Sequence, residues 1–214
     1  MLNDRDGTPT PGPRRRPLAL VTEASNGIGK ELAKQFADNG FDLLITSEDP
    51  QITPFAGELQ GSGATVEALQ VDLSTDDGVV DLYRRVHALG RPLEVVALNA
   101  GAGAGGAFVG ETELADELQI IGHNVRSTVQ LAKYLLADMV ARGEGQLMFT
   151  STDAATTAGS FHAVSSASTS FVQSFALALR NELKDTGVTV TSLTPGAPEE
   201  MADRTDVLGS AALA

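Results

Sequence analysis

Short apolar runs alternate with amphipathic segments along most of this chain. Six of the runs have the length and composition of buried strands, and they cover residues 18–21, 43–46, 65–71, 95–98, 146–150 and 188–193. Apolar residues recur at helical spacing in four of the intervening segments, at residues 29–38, 76–88, 124–141 and 163–184. Strands that alternate with helices predict an α/β fold, with a single doubly wound parallel sheet and helices on both of its faces.

The first 17 residues differ from the rest of the chain in composition. They include four prolines separated by polar and basic residues, so this segment cannot bury an apolar core. We expect residues 1–17 to form a flexible tail and residues 18–214 to form one domain. A chain of 214 residues, 42% of them apolar, is long enough for one such domain and too short for two.

Charge and composition exclude several classes of function. A formal net charge of -13 argues against nucleic acid as a partner, because phosphate backbones bind to concentrated basic surfaces. The chain has no cysteine, which excludes a disulfide or a thiolate nucleophile, and its three histidines (His87, His123, His162) are too scattered to predict a metal site. It also lacks a membrane-length apolar run and an apolar signal-peptide core, so we expect a cytoplasmic protein with no membrane contact.

The segment that follows the first predicted strand is a glycine turn that opens a helix. It reads Thr-Glu-Ala-Ser-Asn-Gly-Ile-Gly-Lys over residues 22–30. Glycines at Gly27 and Gly29 would let the backbone approach a pyrophosphate, which the N-H groups at a helix N-terminus attract. These glycines could instead serve only the packing of the helix against the strand.

The turn resembles the T-G-x-x-x-G-I-G fingerprint of the classical short-chain dehydrogenase/reductase family. Further landmarks of that family follow in order: Asp72 after the third strand, Asn-Ala-Gly at residues 99–101, Asn124 on a long helix and Pro-Gly at residues 195–196. The resemblance implies a Rossmann-type sheet of strand order 3-2-1-4-5-6. It also implies a dinucleotide site formed by Thr22, Gly27, Ile28, Gly29, Asp72, Asn99, Ala100 and Gly101.

Two departures affect the cofactor side of this resemblance. Glu23 stands where the family has its first glycine, and a carboxylate that faced the site would repel a pyrophosphate. Residues 46–49 read Thr-Ser-Glu-Asp, with no basic side chain to hold a 2′-phosphate. We therefore expect either no cofactor or a weakly bound one, and NAD rather than NADP if there is any.

The catalytic side departs further from the family pattern. The positions of the family's serine, tyrosine and lysine fall on Thr152, Ser165 and Thr169, so the Tyr-x-x-x-Lys pair is missing. A serine hydroxyl is far less acidic than a phenol, and a threonine cannot supply the charge of a lysine. The loss of a positioned general acid or base costs about 10²- to 10⁴-fold in rate. The family also continues beyond the Pro-Gly turn into a substrate-covering helix and a seventh strand, so this member looks degenerate and shortened at its C-terminus.

Several polar residues could still perform acid/base chemistry near the predicted cleft. Asp153 and His162 could act as a pair, together with Asn124, Thr152, Ser165 and Thr169. Alternatively, Asp153 caps a turn and His162 lies in a surface loop. His123 precedes Asn124 and is expected to point away from the cleft.

These observations lead to one preferred hypothesis and one alternative. The preferred hypothesis is a protein that is not competent for classical hydride transfer. Such a protein either performs non-redox acid/base chemistry, such as dehydration, enolisation or cyclisation of a small carbonyl or polyketide-like ligand, or acts as a non-catalytic partner. The alternative is an NAD(P)-dependent oxidoreductase with an atypical active site that uses Thr152 and water in place of the tyrosine. The resemblance also implies a homodimer through the helices at residues 124–141 and 163–184, which carry more apolar residues than one core contact needs.

Overall fold

The computed structural model of the chain describes residues 15–99, 101, 103, 105–150 and 161–193. Its strands are β1 (Leu18–Val21), β2 (Asp42–Ser47), β3 (Val66–Gln70), β4 (Val95–Asn99), β5 (Gly145–Thr150) and β6 (Val188–Leu193). Its helices are α1 (Gly27–Asp38), α2 (Ile52–Leu59), α3 (Asp76–Ala88), α4 (Leu114–Ile121), α5 (Ser127–Arg142) and α6 (Ala163–Glu182). A π-helical turn, Gly122–Arg126, joins α4 to α5.

The six described strands form one parallel sheet of order β3-β2-β1-β4-β5-β6, as predicted. Every residue of β1 and β2 is buried, because strands in the middle of a parallel sheet are covered by helices on both faces. Two apolar cores result. Helices α1 and α2 pack on one face through residues such as Phe36 and Phe55, and α3, α5 and α6 pack on the other through residues such as Leu82, Leu131 and Val172.

The direction of the chain along the sheet reverses at β1. The path runs from β1 outward through β2 to β3, and then returns to the other side of β1 at β4. A crevice opens beyond the carboxyl ends of β1 and β4, which is where doubly wound sheets bind their ligands. The loops that follow these two strands therefore determine the site.

The beginning of the described chain is held against the sheet. Arg16 donates hydrogen bonds to the carbonyl oxygens of Gly40 and Ala37, at 3.0 and 3.1 Å. The predicted tail lies mainly outside the described residues, and its boundary stays a prediction. Within the described ranges, every helix is too short or too polar to cross a bilayer.

Candidate dinucleotide site

The loop after β1 is fixed by hydrogen bonds to both neighbouring strands. The N-H of Thr22 donates to Ala97 of β4, and the N-H of Ala24 donates to Thr46 of β2, both at 3.0 Å. Glu23 lies between these two anchors with φ +52°, a left-handed conformation that favours glycine. The backbone thus keeps the shape of a glycine turn although a glutamate occupies the position.

The two glycines that open α1 meet different requirements. Gly27 has φ +51°, and a Cβ placed there would meet no atom within 4 Å. Gly29 has an ordinary conformation, but its Cβ would overlap the backbone carbonyl of Glu23. Gly27 is therefore needed for its backbone angle, and Gly29 for the close packing of helix on loop.

The N-terminus of α1 is suited to an anion. Asn26 precedes the helix in extended conformation and makes no side-chain capping hydrogen bond, and the first turn carries no acidic residue. The first N-H groups of a helix have no partner within the helix and carry a partial positive charge. Together with Gly27 this leaves an open, positively polarised place where phosphate oxygens can bind.

A cavity of about 580 Å³ lies over this helix end. Its size falls within the range of about 300 to 1,000 Å³ that small-molecule and cofactor sites occupy. Five of the predicted cofactor residues line it: Gly27, Ile28, Gly29, Asn99 and Gly101. The sequence resemblance thus brought together residues that do share one cavity.

Of the remaining predicted cofactor residues, the two that the structure describes, Thr22 and Asp72, do not line this cavity. Thr22 holds Asn99 in place through two hydrogen bonds. Its hydroxyl accepts one from the N-H of Asn99 at 2.9 Å, and its carbonyl accepts one from the Asn99 side chain at 2.6 Å. This fixes the Asn99 amide, and its buried Oδ1 accepts no hydrogen bond from the residues that the structure describes. The carboxylate of Asp72 accepts from the N-H of Ser74 at 2.8 Å, and Ala100 is not among the described residues.

Four of the catalytic candidates are described, and they lie at the start of α6 and on the π turn. Asn124 is buried and donates a hydrogen bond to Ser168 at 2.9 Å. The hydroxyl of Thr169 donates to the carbonyl of Ser165 at 3.0 Å, so its hydrogen is engaged by its own helix. Thr152 and Asp153 lie outside the described residues.

A glycine-rich loop brings the start of α6 close to the cavity. A Cβ on Gly103, which lines the cavity, would lie 3.0 Å from the hydroxyl oxygen of Ser165. A Cβ on Gly105 would lie 2.8 Å from the imidazole of His162, which is exposed to solvent. Because Gly103 and Gly105 have no side chains, Ser165 can approach the lining residue Gly103 and His162 can approach Gly105.

The expected direction of His123 is wrong. His123 is buried and lines the cavity, and its Nε2 lies 3.4 Å from Oε1 of Glu23. The physical reason is the π-helical turn, whose wider winding turns both His123 and Asn124 inward. The spacing of apolar residues does not reveal a π turn. The only sequence signal for His123 is Glu23, because an acid in a phosphate-binding turn needs a basic partner.

The His123 imidazole is held in a field of carboxylates. Burial lowers its pKa, but the adjacent Glu23 and the more distant Glu48 and Asp72 outweigh burial, and the pKa is raised above its ordinary value. Among the described residues Oε1 of Glu23 has no hydrogen-bond partner of good geometry, so its contact with Nε2 of His123 at 3.4 Å is mainly electrostatic and requires a protonated imidazole.

Several proteins similar to this chain are named as oxidoreductases or dehydrogenases, and two of the similar solved structures contain NADP or NADPH. A Myxococcus xanthus (strain DK1622) protein named an uncharacterized oxidoreductase is 34% identical over 185 residues, which make up 83% of this chain and 70% of that protein. The solved structure of a metagenomic short-chain oxidoreductase in complex with NADP is 25% identical, covers 91% of this chain and 90% of that one, and superposes with a TM-score of 0.82. The short-chain dehydrogenase of Sphingobium yanoikuyae in complex with NADPH is 28% identical, covers 92% and 75% of the two chains, and has a TM-score of 0.79.

These findings overturn two expectations from the sequence. The preferred hypothesis of non-redox chemistry or a non-catalytic partner is wrong, because the similar proteins are oxidoreductases. The expectation of no cofactor or a weakly bound one, with NAD favoured over NADP, is also wrong, because solved neighbours hold NADP or NADPH. Glu23 does not oppose a phosphate alone, because its carboxylate lies 3.4 Å from the imidazole of His123.

The family itself is established over nearly the whole chain. A family model described as short chain dehydrogenase matches residues 17–206, which include all six described strands and the glycine turn. The cavity at the reversal of strand order lies where that fold binds its ligands. This chain belongs to the short chain dehydrogenase family.

Proposed function

We propose that this protein is an NAD(P)-dependent oxidoreductase with an atypical active site. The observation that carries the proposal is the cavity over the N-terminus of α1, which retains Gly27, Gly29 and Asn99 in the arrangement a dinucleotide needs. The redox names and bound cofactors of similar proteins support it. We further propose a small carbonyl compound as the substrate and a homodimer as the assembly.

Each part of the site has a role in this proposal. The uncapped N-H groups of α1 hold the phosphates, and the buried Oδ1 of Asn99 accepts a hydrogen bond from the dinucleotide or from a water beside it. A nicotinamide cofactor supplies hydride chemistry when it is bound. Ser165 offers a hydroxyl at the edge of the cavity, next to Gly103.

The missing tyrosine and lysine determine what rate to expect. No phenol or ammonium group stands at positions 165 and 169, and the Thr169 hydroxyl is engaged with Ser165. Proton transfer must then use a weak donor such as a hydroxyl or water. We expect carbonyl reduction to be slower by about 10²- to 10⁴-fold than with a positioned general acid.

The experiment is to restore the pair and measure carbonyl reduction. Wild-type protein and the double variant Ser165→Tyr, Thr169→Lys are incubated with a panel of ketones and aldehydes, and oxidation of NADH or NADPH is followed by absorbance. The double variant should gain about 10²- to 10⁴-fold in kcat. The matched control Ser165→Phe, Thr169→Met adds similar bulk without a phenol or a charge and should show no such gain.

The proposal fails if wild-type protein binds neither NADH nor NADPH in a fluorescence titration. It also fails if the restored variant binds a dinucleotide but reduces no carbonyl compound in the panel, because the cavity would then not hold a substrate in a reactive position.

A further inference from the structure

The cavity contains an ion pair that the family pattern does not include. Glu23 replaces a glycine, and its carboxylate is turned inward, with only 22% of the side chain exposed. Its partner His123 belongs to the π turn on the opposite wall of the same cavity. Both residues therefore lie in the space that a dinucleotide would enter.

The surroundings of this pair are otherwise acidic. Glu48 and Asp116 also line the cavity, and His123 is the only basic side chain among its described lining residues. Arg126, three residues further along the helix, donates instead to the carbonyl of Ser74. A pyrophosphate brings two more negative charges, so the charge balance of this pocket depends on a single imidazole.

We propose that His123 is a dinucleotide-binding residue of this protein: its imidazolium cancels the charge of Glu23 and so allows a pyrophosphate to bind at the N-terminus of α1. This inference rests on the proposed function and specifies one of its determinants. In most anion sites of this kind helix N-H groups suffice. Here the helix N-H groups are combined with Glu23 and His123, whose opposite charges cancel when the imidazole is protonated.

Protonation then controls affinity. The carboxylates that act on His123 are those of Glu23, Glu48 and, at longer range, Asp72. Asp116 of α4 lines the same cavity, and α6 presents no charged side chain before Arg180. These carboxylates raise the pKa of His123 above its ordinary value of 6.5. The imidazolium is therefore fully present below the ordinary pKa and is lost as pH rises through the higher pKa of the folded protein, so dinucleotide binding should weaken in that direction.

The experiment compares dissociation constants of NADH and NADPH, measured by fluorescence titration from about pH 6 to pH 9, the interval in which an imidazole titrates. Wild-type protein should bind NADH and NADPH about tenfold more weakly at about pH 9 than at about pH 6. At the higher pH the charge of Glu23 is no longer neutralised and repels the phosphates at intermediate dielectric. His123→Gln should bind about tenfold more weakly than wild type at the low end and lose the pH dependence. Glu23→Gln should bind tightly over the whole interval.

The double variant Glu23→Gln, His123→Gln completes a cycle and should recover most of the affinity that His123→Gln loses. His87→Gln is the matched control: His87 lies on α3, where it contacts Asp138 and not the cavity, and the variant should keep the wild-type pH profile. Unfolding curves show that each variant is folded at the temperature of the titration. If His123→Gln should prove unfolded, the pH profile of Glu23→Gln still decides, because a profile identical to that of wild type would overturn the inference.

Two results separate this inference from the proposed function. Dinucleotide binding that is independent of pH and unaffected by His123→Gln would overturn the inference while the oxidoreductase proposal stands. Absence of binding at every pH, in wild type and in Glu23→Gln, would overturn both.

Discussion

At the scale of single residues, the glycine turn shows that two similar positions can be constrained by different physics. Gly27 needs its left-handed backbone and has open space around it, whereas Gly29 needs the absence of a side chain because the carbonyl of Glu23 is in the way. Glu23 itself adopts φ +52° without being a glycine. A left-handed conformation costs a residue with a side chain about 1 to 2 kcal/mol. Glu23 keeps this conformation in a turn where its side chain also contacts the buried His123.

Alanine substitutions should distinguish the two glycines. Gly29→Ala should lower the free energy of unfolding by more than about 2 kcal/mol, because its Cβ overlaps a fixed backbone atom. Gly27→Ala should cost only about 1 kcal/mol, the penalty for placing an L side chain at positive φ. Urea denaturation followed by circular dichroism measures both. Equal costs would mean that the loop shifts freely and that Gly29 is not needed for packing.

At the scale of elements, α5 and α6 keep apolar residues on their outer surfaces after the core is formed. Leu131 and Leu135 are buried, but Phe171 and Leu177 are 41% and 52% exposed. Phe171 stacks on Phe175, with ring centroids 5.8 Å apart, and so presents a rigid aromatic surface. Aromatic residues of this kind dominate the energetics of protein interfaces.

If α5 and α6 form the homodimer interface, Phe171→Glu should disrupt it. A charge at the centre of an apolar interface should raise the dimer dissociation constant at least about tenfold, because a hot-spot residue contributes 2 kcal/mol or more. Sedimentation velocity over a range of concentrations measures the shift. Val109→Glu, at a position that is 88% exposed and outside both helices, serves as the control. A wild-type protein that sediments as a monomer would contradict the prediction.

Sequence patterns predicted elements well where burial alone defines them. The predicted ends of β1, β6 and α3 agree with the structure to the residue: β1 is a continuous apolar run, β6 alternates apolar and polar residues, and α3 has apolar residues at helical spacing. Helix α4 was not among the segments predicted, since it leaves Leu114 and Leu118 exposed and its periodicity does not follow a core. The contact between Glu23 and His123 could not be predicted either, because it depends on the angle through which the π turn rotates one residue.

At the scale of the whole molecule, a second ion pair joins separate parts of the chain at the opposite, amino edge of the sheet. Asp42 at the start of β2 accepts a hydrogen bond from Arg91 at 2.7 Å and one from the N-H of Thr65 at 2.9 Å. Arg91 also donates to the carbonyl of Arg16. Burial raises the pKa of Asp42, but the hydrogen bonds from Arg91 and Thr65 and the nearby arginine charges outweigh burial and hold the pKa below its ordinary value of 3.8.

Asp42 should therefore make stability depend on pH in acid. A depressed folded-state pKa contributes stability that is complete above the unfolded value and is lost as pH falls through the folded value. Asp42→Asn should lower the free energy of unfolding by about 3 kcal/mol at pH 7, and the difference from wild type should shrink below pH 3.8. Guanidinium unfolding curves of wild type and Asp42→Asn, recorded at pH 7 and below pH 3.8, measure this difference in the free energy of unfolding. Asp81→Asn, which breaks an exposed pair with Arg84, should cost less than about 0.5 kcal/mol at either pH.

The π-helical turn also sets the register between two halves of one long helical stretch. Asp116, Gln119 and Ile120 reach the cavity from α4, while α5 is anchored in the core. A π turn holds one residue more than an α turn, so deleting Gly122 would convert it to an α turn while α4 and α5 keep the faces they present to the cavity and the core. The residues of the turn itself, His123 and Asn124, would then change direction, since they owe their inward orientation to its wider winding. The residue that the π turn absorbs is therefore the one that places His123 on the wall of the cavity.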